Sequence, residues 1–332
     1  MNLEEAIEKY GIKVPTDAEF YSEDYNDYFA KNKRTEELTE RFSKYEEFHI
    51  MYLKSFYITF HKVHKETQQE RRTIANSEAV VLGGQAGAGK GGLTVIAKQE
   101  FWNNGKEIFL IDDDEYRKCY PKEKRESLLR ECPEFYTKIT AIGSSAITPK
   151  IMKYASDNGL NFIFDGTMKN PRIIQTAMNW DNYNINWKVM ATSKLESLIS
   201  VFERNDILRQ QGDCRFMTVD VHNETYSGLA ATLMNLESLG NMGKIQVYTR
   251  GKTPETPKLV YDSMVINQKY RTAVSALIGA REENRKICMM NGIEKRIQNL
   301  KNANIFRNEA ELEALLELEQ RIKGEMEIEK ER

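Results

Sequence analysis

The sequence predicts an α/β fold, a parallel sheet flanked by helices, with helical extensions at both ends. Three observations predict it. Short apolar runs alternate with helical segments between Ala79 and Ser263. A glycine-rich stretch, GGQAGAGKGG, follows the first of these runs and opens a helix. The flanking segments, 1–75 and 266–332, instead carry charged, aromatic or leucine-rich patterns at helical spacing. The domain boundaries expected from these changes are 1–75, 76–265 and 266–332.

Taken in order, Thr16-Asp17-Ala18-Glu19 after Pro15 has the form of a capping box. From Thr35 to Gln69 there is no glycine or proline, and Phe42, Tyr45, Phe48, His49 and Tyr52 recur at helical spacing. That stripe reads as a packing face rather than a binding one. His61 and His64, three apart, read as part of a solvated helix face rather than a metal pair. Ala79–Leu82 is a short buried strand, and a helix runs from about Lys90 to Trp102. Lys106–Ile111 is a second strand, closed by Asp112-Asp113-Asp114. Thr148-Pro149 reads as an N-cap with proline at the first helical position, of a helix ending near Asn158. Asn161–Phe164 is a third strand, closed by Asp165-Gly166-Thr167. Trp187–Ala191 and Ile245–Tyr248 are the fourth and fifth, and KLVYDS comes next. Arg307–Arg332 reads as a surface or projecting amphipathic helix, with Leu312, Leu315, Leu316, Ile322 and Met326 on its apolar side.

Bulk composition narrows the function. The chain has 332 residues, 40% hydrophobic and 30% charged, with a formal net charge of −2. It can bury a sizeable core. No global basic field favours nucleic acid or an anionic membrane. No apolar run approaches the ~20 residues of a membrane span. Cys119, Cys132, Cys214 and Cys288 are scattered without metal-ligand spacing, and the acidic start MNLEEAIEKYG is not a secretory signal. A reduced, cytoplasmic protein is expected.

The chemistry lies at the strand ends, where ligands sit in sheets of this kind. Gly84-Gln85-Ala86-Gly87-Ala88-Gly89-Lys90 fits the first seven positions of G-x-x-x-x-G-K-[ST]. Such a loop curls its N–H groups around phosphate oxygens, with a helix N-terminus behind them and a lysine for the β- and γ-phosphates. The expected fold is therefore a P-loop NTPase-type sheet, with Gly84 to Gly91 binding ATP. The eighth position is Gly91, and the ninth is Gly92, so the hydroxyl that usually meets Mg²⁺ is missing. Carboxylates and water would then hold the metal. Asp112 and Asp114 are expected on one side of the second strand, one accepting a substrate proton and one steadying Mg²⁺. Asp165, Thr167 and Lys169 suit a polar acceptor. Arg204 and Arg215 suit the charge that spreads over a transferring phosphoryl group. His222 reads as a structural hydrogen-bonding residue.

The ordered blocks LGGQAGAGKGGL, LIDDDEYRKCYP, NFIFDGTMKNP, VFERN, CRFMTVDVHN and KIQVYTR…KLVYDS resemble the zeta toxin family, the P-loop kinases of epsilon–zeta and Pez-type toxin–antitoxin systems. The resemblance covers about Ala79 to Ser263. It implies phosphorylation of the 3′-hydroxyl of UDP-N-acetylglucosamine by ATP and Mg²⁺. It further implies Lys90 as the phosphate-loop lysine, Asp114 as the base, and Arg204 and Arg215 as the phosphate-contacting arginines. The R-x₆-H spacing from Arg215 to His222 is similar to the family's. An antitoxin partner is also implied. The family's E-G-T-x-R falls on Asp165-Gly166-Thr167-Met168-Lys169, so glutamate is shortened and arginine becomes lysine, which lacks the bidentate fork. The family's sugar-contacting glutamate falls near Pro149, where there is no carboxylate. These departures point to a rewritten acceptor side, and the alternatives are another nucleotide or cofactor as acceptor, or a nucleotide-binding interaction protein. The segment 1–75 is read as a supporting subdomain or a built-in cover.

Overall fold

The computed structural model describes residues 1–30, 33–60, 77–180, 182–211, 217–251, 256–290, 292–303, 305, 307 and 309–330. In chain order come helices α1 (Leu3–Tyr10), α2 (Asp17–Phe20), α3 (Glu23–Ala30), α4 (Glu36–Phe42) and α5 (Glu46–Phe60), then strand β1 (Ser77–Gly83). Next are α6 (Lys90–Asn103), β2 (Phe109–Asp112), α7 (Asp113–Arg117), α8 (Lys122–Glu131), α9 (Tyr136–Asp157), β3 (Phe162–Asp165), α10 (Arg172–Met178) and β4 (Tyr183–Ala191). The chain closes with α11 (Lys194–Gln210), α12 (Val219–Leu239), β5 (Lys244–Thr249), β6 (Lys258–Asp262), α13 (Ala273–Met290), α14 (Ile293–Asn302) and α15 (Glu309–Lys330). Two compact units result: residues 1–71 with 111–154, and residues 72–110 with 155–332.

The first unit is helical. Its N-terminal helices start where short polar side chains accept from exposed backbone N–H groups: Asn2 and Thr16 form reciprocal capping boxes, and Thr35 caps α4. Tyr25, Tyr28, Phe42 and Phe48 are fully buried, so the aromatic stripe is a packing face. His49 stacks on Phe29 at 4.0 Å between ring centroids, and burial lowers its pKa to about 4. It is a half-buried packing ring, neutral at physiological pH. His61 and His64 lie outside the described residues.

One expectation is corrected here. Thr148-Pro149 does not begin a helix but lies inside the 22-residue α9. Proline has no N–H, so the carbonyl four residues back loses its usual donor. One residue earlier the Thr148 hydroxyl donates to the Ser144 carbonyl at 3.0 Å, a back-bond available only inside a helix.

The six-stranded sheet has the order β2-β3-β1-β4-β5-β6, with β1 and β3 to β6 in the second unit. β1 pairs in parallel with β3 and β4, β4 pairs in parallel with β5, and β6 runs antiparallel to β5 at the edge. Ala79 to Leu82 are wholly buried, as expected of a strand covered on both faces. Leu93, Ala97 and Phe101 recur at i+4 along α6 and pack on Val80, Leu82, Ile163 and Met190. Each such large side chain contributes roughly 1.5–3 kcal/mol by burial. The register Leu82↔Asp165 carries β1 and β3 to the same sheet edge, so the loops leaving both strands gather there.

The C-terminal helices are packed, so of the two readings of 307–332 the structure shows the surface amphipathic helix and not a projecting one. On α13, Ala273, Ala276, Leu277 and Ala280 are buried, and that helix lies along β4, β5 and β6. On α15, Leu315, Leu318 and Ile322 are buried while Leu312 and Leu316 are exposed, so the apolar side faces inward at a spacing of three and four. Arg307 holds Asp206 of α11 with two bonds of 2.7 Å each. Among the described residues, no helix is long and apolar enough to cross a membrane.

Candidate nucleotide site

The glycine loop joins β1 to α6 in the second unit. Three of its glycines have backbone conformations that other residues rarely adopt, Gly84 at φ 150°, Gly87 at φ 72° and Gly89 at φ 96°. Gly89 is the left-handed N-cap of α6. Gly87 has a second constraint: a Cβ there would lie 2.0 Å from the Ser197 carbonyl oxygen. A Cβ at Gly91 would meet nothing within 4 Å, so this position has room for the hydroxyl it lacks. The loop therefore has its curled backbone without the metal-facing side chain.

Lys90 is the first residue of α6, and its Nζ lies 3.9 Å from Asp165 Oδ1 at the end of β3. Both side chains are mostly buried. Gly84 N–H donates to the Thr167 carbonyl at 3.2 Å, which ties the start of the loop to the segment after β3. Met168 has φ 52° with its side chain buried, so it anchors that segment in a conformation it would otherwise avoid. Gly228 of α12 leaves room for the Lys169 carbonyl, 2.2 Å from where a Cβ would stand. The Lys169 ammonium makes an exposed pair with Glu224 at 3.5 Å. Arg204 lies on α11 of this same unit. Arg215 lies outside the described residues.

Asp112 and Asp114 belong to the first unit, and their expected arrangement is corrected. The strand ends at Asp112, whose Oδ1 caps the next helix by accepting from Asp114 N–H at 2.9 Å. Asp114 is thus in the first turn of α7, not two places along a strand. Its carboxylate lies 3.2 Å from Arg117 Nη2, and that of Asp113 3.5 Å from the same atom. Asp113 also accepts from the Thr148 hydroxyl at 3.1 Å. Burial raises the Asp113 pKa, and Arg117 offsets part of the rise.

His222 is fully buried, with Nε2 at 2.9 Å from Ser197 Oγ. Burial, reinforced by Lys194 and Arg281, lowers its pKa to about 4. Its role is a hydrogen bond, not a charge.

Sequence reasoning gave Arg250 no role. It follows β5 in the KIQVYTR block and bonds the loop carbonyls of Gly87 and Ala88. An arginine at the end of a buried strand was the available signal. Its partner Glu196 is 8% exposed. Burial by itself raises the Glu196 pKa, but the Cys288 thiol, Arg250 and Arg296 outweigh it and the net shift is downward. A carboxyl held below its ordinary 4.5 stabilises the fold above that pH and loses the contribution as pH falls through the lowered value. Melting temperature is therefore expected to drop in acid below about pH 4.5, and Glu196→Gln is expected to flatten that part of the profile. An unchanged slope in the variant would count against the assignment.

A sequence model of the zeta toxin family matches residues 60–263. The chain belongs to the zeta toxin family. Among zeta toxins it is 26% identical over 191 residues to toxin zeta of Enterococcus hirae, an alignment covering 56% of this chain and 65% of that protein. The chain thus spans less than two thirds of that relative's length. It is 27% identical over 192 residues to toxin PezT of Streptococcus pneumoniae, covering 56% of this chain and 71% of that protein. A solved chain from the PezAT chromosomal toxin–antitoxin system of Streptococcus pneumoniae superposes with a TM-score of 0.56 at 21% identity, over 76% of this chain and 97% of the other. This last likeness speaks to the fold. The zeta toxin match leaves out α13, α14 and α15.

Proposed function

We propose that this zeta toxin family member is an ATP-dependent kinase acting on a hydroxyl of a small molecule, with nucleotide sugars such as UDP-N-acetylglucosamine as the first acceptor class. The single observation that carries this reading is the curled loop from Gly84 to Lys90 with Asp165 beside the lysine, at the sheet edge where β1 and β3 end. In this reading the acceptor oxygen attacks the γ-phosphorus of ATP, the bond from that phosphorus to the bridging oxygen breaks, and ADP leaves. The acceptor proton goes to the Asp114 carboxylate. Lys90, Arg204 and Arg215 stabilise charge on the transferring group. Asp165, Thr167 and Lys169 orient the acceptor.

Mg²⁺ fits such a donor set, because it takes one or two protein oxygens and fills the rest with water and phosphate. Asp112 and Asp114, the carboxylates where β2 ends and α7 begins, would hold it. When bound it neutralises phosphate charge. No described group of three or more His, Cys, Asp or Glu residues could hold a metal ion by itself. Gly91→Ser is expected to lower the Mg²⁺ concentration for half-maximal rate by about tenfold, the scale of one supporting ligand. A titration that does not move would mean that the metal lies away from this position. An antitoxin partner and a cytoplasmic site of action belong to the same proposal, as PezT's origin in a toxin–antitoxin system suggests.

The test is ADP release with ATP and Mg²⁺ against UDP-N-acetylglucosamine, other nucleotide sugars and NAD. Turnover with one acceptor, lost in Lys90→Ala, supports the kinase reading and names the substrate. ATP binding without turnover favours the nucleotide-binding interaction protein that the missing hydroxyl at Gly91 and Gly92 also suggests.

A further inference from the structure

The polar residues of α13 raise a question that packing does not answer. Arg281, Asn284 and Cys288 share one helix face at spacings of three and four, and all are at least nine-tenths buried. Burying polar groups is costly unless each finds a partner. Their partners lie in and around the phosphate loop. Arg281 Nη2 donates to Gln85 Oε1 at 3.3 Å, and its guanidinium stacks 3.6 Å from the centre of the Tyr226 ring. Gln85 is itself fully buried and donates to the Thr192 carbonyl at 2.8 Å and to Ser197 Oγ at 3.1 Å. Asn284 Oδ1 accepts from Ser193 N–H at 2.8 Å, at the start of α11.

The second set of partners runs through Glu196. Cys288 Sγ donates to Glu196 Oε2 at 2.9 Å, and Arg296 of α14 reaches the same oxygen at 2.7 Å. Arg296 also forks onto Glu203 at 2.6 and 2.8 Å. The other oxygen of Glu196 accepts from Arg250 Nη1 at 2.5 Å. Arg250 then uses Nη2 on the Gly87 carbonyl and Nε on the Ala88 carbonyl at 3.3 Å, with Thr192 Oγ1 on that same Ala88 oxygen at 2.7 Å.

We infer that α13 and α14, which lie outside the family-matched region, brace the phosphate loop from behind, with Arg250 as a positioning residue whose guanidinium is aimed by Glu196, Cys288 and Arg296. The physical reason is peptide geometry. In a planar trans peptide the C=O and the following N–H point in opposite directions. Fixing the Ala88 carbonyl therefore turns the Gly89 N–H away from Arg250. A loop rich in glycine has little conformational preference of its own, so order imposed before the ligand arrives is order that binding need not supply. A lysine at 250 could not serve, since it has no fork to span two carbonyls and a carboxylate.

The inference rests on the nucleotide reading for only one of its two readouts. Hydrogen exchange of the full chain without nucleotide reports on the loop itself, and titration with a fluorescent ATP analogue reports on affinity. In Arg250→Ala and in the more distant Arg296→Ala, exchange is expected to rise in the peptide covering 84–91 and to stay unchanged in those covering β1 and β4. Analogue affinity is expected to fall by about tenfold or more, the scale of one charge-assisted hydrogen bond. Arg296→Lys, which keeps a cation near Glu196, is expected to lie in between. Loop exchange that stays unchanged, or that rises equally across the sheet, overturns the bracing role. If the wild-type chain binds no nucleotide, the proposed function fails while the exchange result still decides this inference.

Discussion

Asp114→Ala is expected to slow phosphoryl transfer by about 10²–10⁴-fold, the range general-base catalysis contributes, while leaving ATP affinity within about twofold of wild type. The split arises from where the two jobs lie. The phosphate cradle and Lys90 belong to the second unit, and Asp114 to the first. A lost base removes a stabilisation made only in the transition state, so the rate falls and ground-state binding does not. Asp114→Asn separates shape from basicity, since it keeps the side-chain volume but accepts no proton at neutral pH. It is expected to be nearly as slow as alanine. Asp112→Asn is expected to be milder, because an amide oxygen can still cap the Asp114 N–H that Asp112 Oδ1 now accepts from. Normal turnover in Asp114→Ala would sink the assignment. Loss of ATP binding in the same variant would move Asp114 from proton transfer to the nucleotide itself.

The parts of this fold that were legible in the sequence are those governed by local rules. A run such as Ala79–Leu82 followed by glycines and a lysine reads as strand, loop and helix because each signal lies next to the other. The strand ends carried the candidate residues for the same reason, and Lys90 and Asp165 do meet. The misreadings came where a local signal was overridden. Thr148-Pro149 looks like a helix start, yet the surrounding residues carry α9 through it. Asp112 to Asp114 look like the end of a strand, yet the strand stops at Asp112, whose cap turns the chain into α7 at Asp113. The bracing of the loop could not be read at all. It depends on pairs such as Gln85 with Arg281, 196 residues apart, and no periodicity records such a contact. The apolar side of 307–332 was legible from spacing, and Leu315 and Ile322 are buried on it, but spacing alone did not separate them from Leu312 and Leu316, which are exposed.

Those packed helices lead to the largest expected stability effect. Arg307→Ala is expected to cost about 3–5 kcal/mol, the scale for removing one partner of a buried ion pair. Arg307 and Asp206 bond through both nitrogens and both oxygens at 2.7 Å, and Arg307 Nη2 also donates to the Leu300 carbonyl at 3.1 Å. Both side chains are about nine-tenths buried, so water cannot replace the missing cation beside Asp206. The cost would arise chiefly from a stranded carboxylate, not from the attraction itself, and the two can be told apart. Asp206→Leu combined with Arg307→Met removes both charges while keeping apolar volume, and such double replacements are often close to neutral. In a double-mutant cycle on urea midpoints, the pair is therefore expected to recover most of what Arg307→Ala loses. A small loss in Arg307→Ala would mean that the α14–α15 connection opens to water and that the buried pair holds little. A large loss that the double variant does not recover would mean that the Leu300 carbonyl, left without its donor, is the costly group.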